Sequence, residues 1–212
     1  TAPVLEPTDE TLHRAAECIR DGGVVVVPSD TNLALTLDPW NPDAVRRAYE
    51  IKDRPAHKPL TLFVRDPDDW RLYGTHDESA LVDALAERFW PGPLNPVLPS
   101  TGRVSDERLR RDGTVAVGCL GNPTWRRLAE FVDGPVAMTS ANRSGTVDDD
   151  TLVDVDLARD HVGDEVDLIV DGGPRGTTRA STILGLGGDP ELLREGDVTA
   201  AELRTVLGSD AL

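Results

Sequence analysis

Residues 22–32 read "GGVVVVPSDTN", and this stretch decides how the rest of the chain is understood. Four consecutive valines, Val24 to Val27, cannot present a polar face to water, so they are expected to form a strand buried on both sides. Such a strand belongs inside an α/β sheet with helices packed on it. The polar turn at 28–32 then falls at a strand end, where open α/β sheets place their ligand crevice.

Upstream, "TDETLHRAAECIR" (8–20) is a helix with Thr8 as cap and Leu12, Ala15, Ala16 and Ile19 on one face, stopped by Gly22 and Gly23. Downstream, "LALTL" (33–37) is extended. "NPDAVRRAYEIK" (41–52) is a helix capped by Asn41, with Pro42 in its first turn and Val45, Ala48, Tyr49 and Lys52 on one side. Strands are expected at "PLTLFV" (59–64), "TVAVGCL" (114–120), "PVAMT" (135–139), "DLIV" (167–170), "STILGL" (181–186) and "ELLRE" (191–195). Helices are expected at "SALVDALAERF" (79–89), "PTWRRLAEFV" (123–132) and "TAAELRTVL" (199–207), and "DDDTLVDVDLARDHV" (148–162) reads as a loop leading into one. The acid run Asp148–Asp150 reads as solvated loop. Several strands are too closely linked to be all parallel, which predicts a twisted, mixed parallel and antiparallel α/β sheet with flanking helices, in one domain over 1–212.

The chain holds 38 acidic and 22 basic residues, for a net charge of −16. That balance weighs against a general polyanion binder, so any phosphate site must be local. No run approaches the length of a membrane span and no signal peptide is apparent, which predicts a cytoplasmic protein without membrane association. Cys18 and Cys119 lack metal-ligand spacing and an adjacent cation, and are expected to be reduced and slow to react.

The local phosphate site has a candidate. "KDRPAHKPL" (52–60) contains both lysines of the chain, Lys52 and Lys58, with Arg54 between them. Cations at a helix C-terminus account for two charges but not three, whereas three in one short loop suit a triphosphate. Two further polar clusters end strands: "PSDTN" (28–32) and "TSANRSG" (139–145), each also explicable as a turn. Asp30 reads as a turn cap or a water-mediated metal contact. Neither a Walker loop nor a dinucleotide fingerprint is present. His13, His57, His76 and His161 are scattered and Cys119 has no paired base, so no nucleophile stands out.

Taken in order, the Val-rich strand ending in "PSDT", then "IKDRPAHKPL", "FWPGPL", "TSANRSG", and "STIL" followed by "LLREGDV" resemble the YrdC/Sua5 family of threonylcarbamoyl-AMP synthases over residues 8–207. The resemblance implies a YrdC/RibB-like sheet around a positively charged cleft. It also implies synthesis of threonylcarbamoyl-adenylate and pyrophosphate from ATP, bicarbonate and threonine with Mg2+, for the tRNA modification t6A. It assigns Lys52, Arg54 and Lys58 to the ATP phosphates, where they would act catalytically by neutralising the departing pyrophosphate. Thr114, Ser140, Asn142 and Arg194 fall on nucleotide-lining positions, and Thr31, Phe63, Gly118, Met138 and Ser181 on the acceptor side. A partner from tRNA modification or carbamoyl transfer would follow. The contrasting reading is a non-catalytic RNA- or nucleotide-binding module, which the acid balance and scarce aromatics oppose for RNA.

The sequence departs from the family pattern on the acceptor side. "VAVGCLGNP" stands where the family commonly reads "VGVRVPDHP", so Gly118 replaces the arginine that grips the threonine carboxylate. Phe63 stands for a histidine, Met138 for a serine and Asn95 for the threonine of "WPGPLT", while "PSDTNLALT" replaces "PTDTVYGLG". These changes point to an amine acceptor other than threonine and less charged. A true threonine enzyme gripping the carboxylate from elsewhere is the alternative.

Overall fold

The valine run enters the sheet as a buried strand: β2 (Val25–Pro28) has no exposed residue. It lies between β8 (Leu168–Val170), to which it is parallel, and β3 (Leu33–Leu37), to which it is antiparallel. The computed structural model describes residues 1–148, 150–173 and 176–212; Asp149 of the acid run lies outside them. The remaining strands are β1 (Val4–Leu5), β4 (Thr61–Phe63), β5 (Leu94–Pro99), β6 (Thr114–Gly118), β7 (Val136–Ser140), β9 (Thr182–Gly185) and β10 (Glu191–Arg194). Among the described residues they form one sheet in the order β1-β8-β2-β3-β7-β4-β6-β5-β9-β10, with parallel and antiparallel neighbours mixed as expected.

Local chemistry sets the helix ends. The Thr8 side chain accepts from Thr11 N to start α1 (Asp9–Arg20), and Asn41 accepts from Asp43 N and Ala44 N to start α2 (Pro42–Lys52). The others are α3 (Trp70–Tyr73), α4 (Ser79–Phe89), α5 (Pro123–Ala129), α6 (Val155–Val162) and α7 (Ala200–Leu207). Three elements escape the sequence reading. Two are the two-residue β1 and the four-residue α3, too short for a periodicity to show. The third is β5, whose Pro96 and Pro99 argue against an interior strand. It is tolerated because β5 serves its neighbour through carbonyls: Thr182 N donates to Pro93 O and Leu186 N to Val97 O.

The sheet has two unlike faces. On one, α2 and α4 bury Ala44, Val45, Ala48, Ile51, Val82 and Leu85 against Val26, Leu33, Leu35, Leu62 and Val117. On the other, α1 and α5 pack Leu12, Ile19, Trp125 and Leu128 on Val25, Val27, Ala34, Phe63 and Met138. That second cover stops short of β6, β5 and β9. There the strands alternate: Val115, Val117, Leu98, Thr182 and Leu184 are buried, while Thr114, Ala116, Val97, Pro99, Ile183 and Gly185 are half-buried. Because side chains alternate faces along a strand, the half-buried set marks an open sheet face.

Candidate functional site

At one end of the open face, α2 delivers its last residue, Lys52, inward. Asp53 takes a left-handed conformation (φ 50°) and turns the chain back toward β4. Lys52 is 1% exposed. Its Nζ donates to Ser140 O and to Asn142 O, the latter at 2.5 Å, so it bridges to the end of β7 rather than capping its own helix. Burial, with the charge of Arg54 second, pushes the ammonium down to about 7, while the two carbonyl acceptors favour the charged form. Arg54 is half-buried and closes its loop: Nε donates to Lys58 O and Nη2 to Pro59 O, both at 2.8 Å. Lys58 and His57 are exposed. Next to Lys52, Asn142 Oδ1 and Ser144 Oγ are buried without a hydrogen-bond partner.

Strand direction brings Thr114 to this same edge of the sheet: β6 starts there parallel to β4, and antiparallel β7 ends there with Ser140. Leu60 N donates to Arg108 O, so the β4–β6 ladder does not extend to Pro59. The Thr114 hydroxyl donates to Arg111 O at 2.7 Å.

The turn at 28–32 is built by Ser29, whose Oγ donates to Asn32 O and accepts from Thr31 N. Thr31 is 4% exposed. Asp30 does not cap this turn. Its carboxylate accepts from Gly121 N at 2.9 Å and Asn122 N at 2.6 Å, tying the turn to the loop before α5. Burial raises its pKa and these N–H donors oppose the rise. Asn122 in turn caps α5 through Thr124 N and Trp125 N and gives Nδ2 to Ser29 O. The result is a cleft of about 240 Å³ walled by Asp30, Pro91–Pro93, Gly121–Pro123 and Thr177. The motifs "FWPGPL" and "GNP" stand out in the sequence, but nothing in them signals that they meet to form such a wall.

A third group lies across the sheet: Phe63 pairs with Gly118, which abuts Asn95, and Asn95 and Arg194 both pair with Ile183. A Cβ on Gly118 would sit 2.5 Å from Phe63 Cε1 and 2.6 Å from Asn95 Oδ1. Phe63 meets Trp125 edge-on, with ring centroids 6.5 Å apart, and Met138, 2% exposed, belongs to the same apolar cluster. Arg194 donates from Nε to Ser181 O at 2.9 Å. Two groups are thus joined by direct contacts: Lys52 with Ser140 and Asn142, and Arg194 with Ser181, while Phe63 packs against Gly118.

The cysteines differ from expectation in one respect: Arg126 Nη1 lies 3.7 Å from Cys119 Sγ. Burial still prevails and pushes that thiol up to about 11; Cys18 is likewise raised to about 11, by burial and then Asp167. Among the described residues no three His, Cys, Asp or Glu side chains are grouped to hold a metal, and no helix is long and apolar enough to cross a membrane.

A family model covering Sua5, YciO and YrdC proteins, described as "Telomere recombination", matches residues 17–196. The chain belongs to this family. The threonylcarbamoyl-AMP synthase of Bacillus subtilis strain 168 is 33% identical over 211 residues, which are 96% of this chain and 58% of the relative. The crystal structure of Pyrococcus abyssi Sua5 complexed with L-threonine superposes with a TM-score of 0.85 at 30% identity, covering 95% of this chain and 58% of that one. Escherichia coli YciO gives a TM-score of 0.78 at 26% identity, covering 93% and 95%. This Sua5/YciO/YrdC chain thus spans little more than half of the Bacillus and Pyrococcus relatives and nearly all of YciO.

Proposed function

We propose that this Sua5/YciO/YrdC protein makes a carbamoyl-adenylate from ATP, bicarbonate and an amine, releasing pyrophosphate. The observation that carries the reading is Lys52, a buried ammonium anchored at the end of β7 in the same short loop as Arg54 and exposed Lys58. An acidic chain with two lysines keeps both within seven residues, which supports a local polyphosphate site. The amine nitrogen attacks the carbon of bicarbonate, and water leaves. A carbamate oxygen then attacks the α-phosphorus as the bond to the β-phosphate oxygen breaks. Lys52, Arg54 and Lys58 neutralise the departing pyrophosphate, so positioning and electrostatics supply the catalysis. Mg2+ would enter with ATP as its counter-ion and help neutralise the phosphate charge. Thr114, Ser140, Asn142 and Arg194 would border the nucleotide.

Threonine is the first acceptor to consider, because the relatives are named for it and the Pyrococcus protein is a threonine complex. Thr31, Ser181 and the Phe63–Gly118–Met138 region then form the acceptor side, and the product would serve tRNA modification in the cytoplasm. A second reading, a less charged acceptor handed to a carbamoyltransferase, is favoured by Phe63 filling the space over Gly118 where a cationic side chain would stand. Pyrophosphate release from ATP and bicarbonate, with and without threonine and across a panel of amines, tests both. Acceptor-dependent release that Lys52→Met abolishes is expected. ATP binding with no release for any amine would overturn the synthase reading in favour of a nucleotide-binding module.

A further inference from the structure

Asn95 sits on β5 in register with Ile183 and beside Gly118. It is 6% exposed, and its Oδ1 is enclosed with no hydrogen-bond partner among the described residues. An unmet buried acceptor weakens the fold, and an apolar side chain of similar size would remove that cost. Folding alone therefore gives no reason for a carboxamide here. Asn95 stands beside the acceptor-side group: a Cβ on Gly118 would lie 2.6 Å from its Oδ1 and 2.5 Å from Phe63 Cε1.

We infer that Asn95 is a specificity-determining residue, whose Oδ1 takes a hydrogen bond from a neutral donor on the amine acceptor, either a hydroxyl or a carboxamide N–H. This rests on the proposed reading of the Phe63–Gly118–Met138 region as the acceptor side. An ionised carboxylate is acceptor-only and cannot satisfy this oxygen. The strands around it supply no counter-ion to an anion: β5 and its neighbours β6 and β9 contain no charged residue. In register the next cation is Arg194, two strands away with its Nε on Ser181 O, and the cleft wall itself contributes the Asp30 carboxylate. A carboxylate brought against Asn95 would lose its hydration without a counter-ion beside it.

Four probes separate the two donors: L-threonine (hydroxyl), L-2-aminobutyramide (carboxamide), L-threoninamide (both) and L-2-aminobutyrate (neither). Their dissociation constants are measured by calorimetry on wild type, Asn95→Leu and the smaller Asn95→Ala, with ATP binding followed in parallel. The wild type is expected to bind a donor-bearing probe at least about tenfold tighter than L-2-aminobutyrate, the scale of one hydrogen bond. Both variants should bring that ratio to near one with ATP affinity unchanged, and Asn95→Leu should melt higher than wild type. Equal binding of all four probes, binding of none, or a preference that survives both substitutions would overturn the inference. Since binding needs no turnover, a protein that releases no pyrophosphate fails the synthase reading separately, and the four dissociation constants still decide the role of Asn95.

Discussion

Gly118→Ala offers the sharpest physical test of the packing on the open face. One methyl group would be placed 2.5 Å from Phe63 Cε1, 2.8 Å from Phe63 Cδ1 and 2.6 Å from Asn95 Oδ1, all well inside contact distance. The ring has little room to retreat. Trp125 braces it edge-on, and the void between Phe63, Trp125 and Val136 is about 10 Å³, no more than the space one water requires. Overpacking of this kind costs about 1–3 kcal/mol. At roughly 2–4 °C per kcal/mol for a chain of this size, a cost near 2 kcal/mol lowers Tm by about 4–8 °C. Phe63→Leu removes the opposing edge, so the double variant should be more stable than the sum of the single effects by about 1 kcal/mol, read from urea midpoints in a double-mutant cycle. A Gly118→Ala protein that melts with wild type, or strict additivity with Phe63→Leu, would show that the ring yields freely and that the contact does not restrict what residue 118 can be.

Lys58 is exposed, so Lys58→Ala should leave the melting temperature of the unliganded protein unchanged while reducing the stabilisation given by saturating Mg·ATP; an undiminished ATP shift would remove Lys58 from the phosphate site. The Lys52 ammonium titrates near 7 when folded against 10.5 when unfolded, so between those values the unfolded chain holds the extra proton. This group therefore makes the unliganded protein more stable as pH rises from 7 toward 10, and destabilises it again as pH falls through 7. Urea midpoints at pH 7, 8 and 9 should show that rise, with a smaller slope in Lys52→Met; identical slopes would contradict it. Cys119 should react with iodoacetamide at pH 8 only on unfolding, since burial holds its thiol near 11 despite Arg126; rapid labelling of folded protein would mean that this strand end opens.

Elements that depend on neighbours in sequence are legible in the chain itself. Thr8 and Asn41 cap their helices through N–H groups two or three residues away, and the valine run could only be a buried strand. The cationic loop stands out because lysine is scarce. What sequence order hides are contacts between distant segments. Nothing near Asp30 in the chain signals that its carboxylate serves Gly121 and Asn122 rather than its own turn. A lysine at a helix terminus reads as a solvated cation until the fold brings Ser140 O and Asn142 O over it. At position 118 the family pattern suggests only a lost charge. The structure adds a reason for glycine in particular, because Phe63 and Asn95 already occupy the space a side chain would use.

The clamp made by Asp30 also bears on the order in which the molecule assembles. Its carboxylate joins residues 91 and 92 positions away, and its carbonyl accepts from Thr177 Oγ1, 147 positions away. Loops that long are entropically expensive to close until the strands bearing them have paired. By contrast β2 and β3, joined by a four-residue turn, can meet early. The ligand-facing wall is then among the last features to form during refolding, and in pulse-labelled exchange the Gly121 and Asn122 amides should gain protection after those of β2 and β3. Anything bound against that wall would consequently slow unfolding more than it speeds folding.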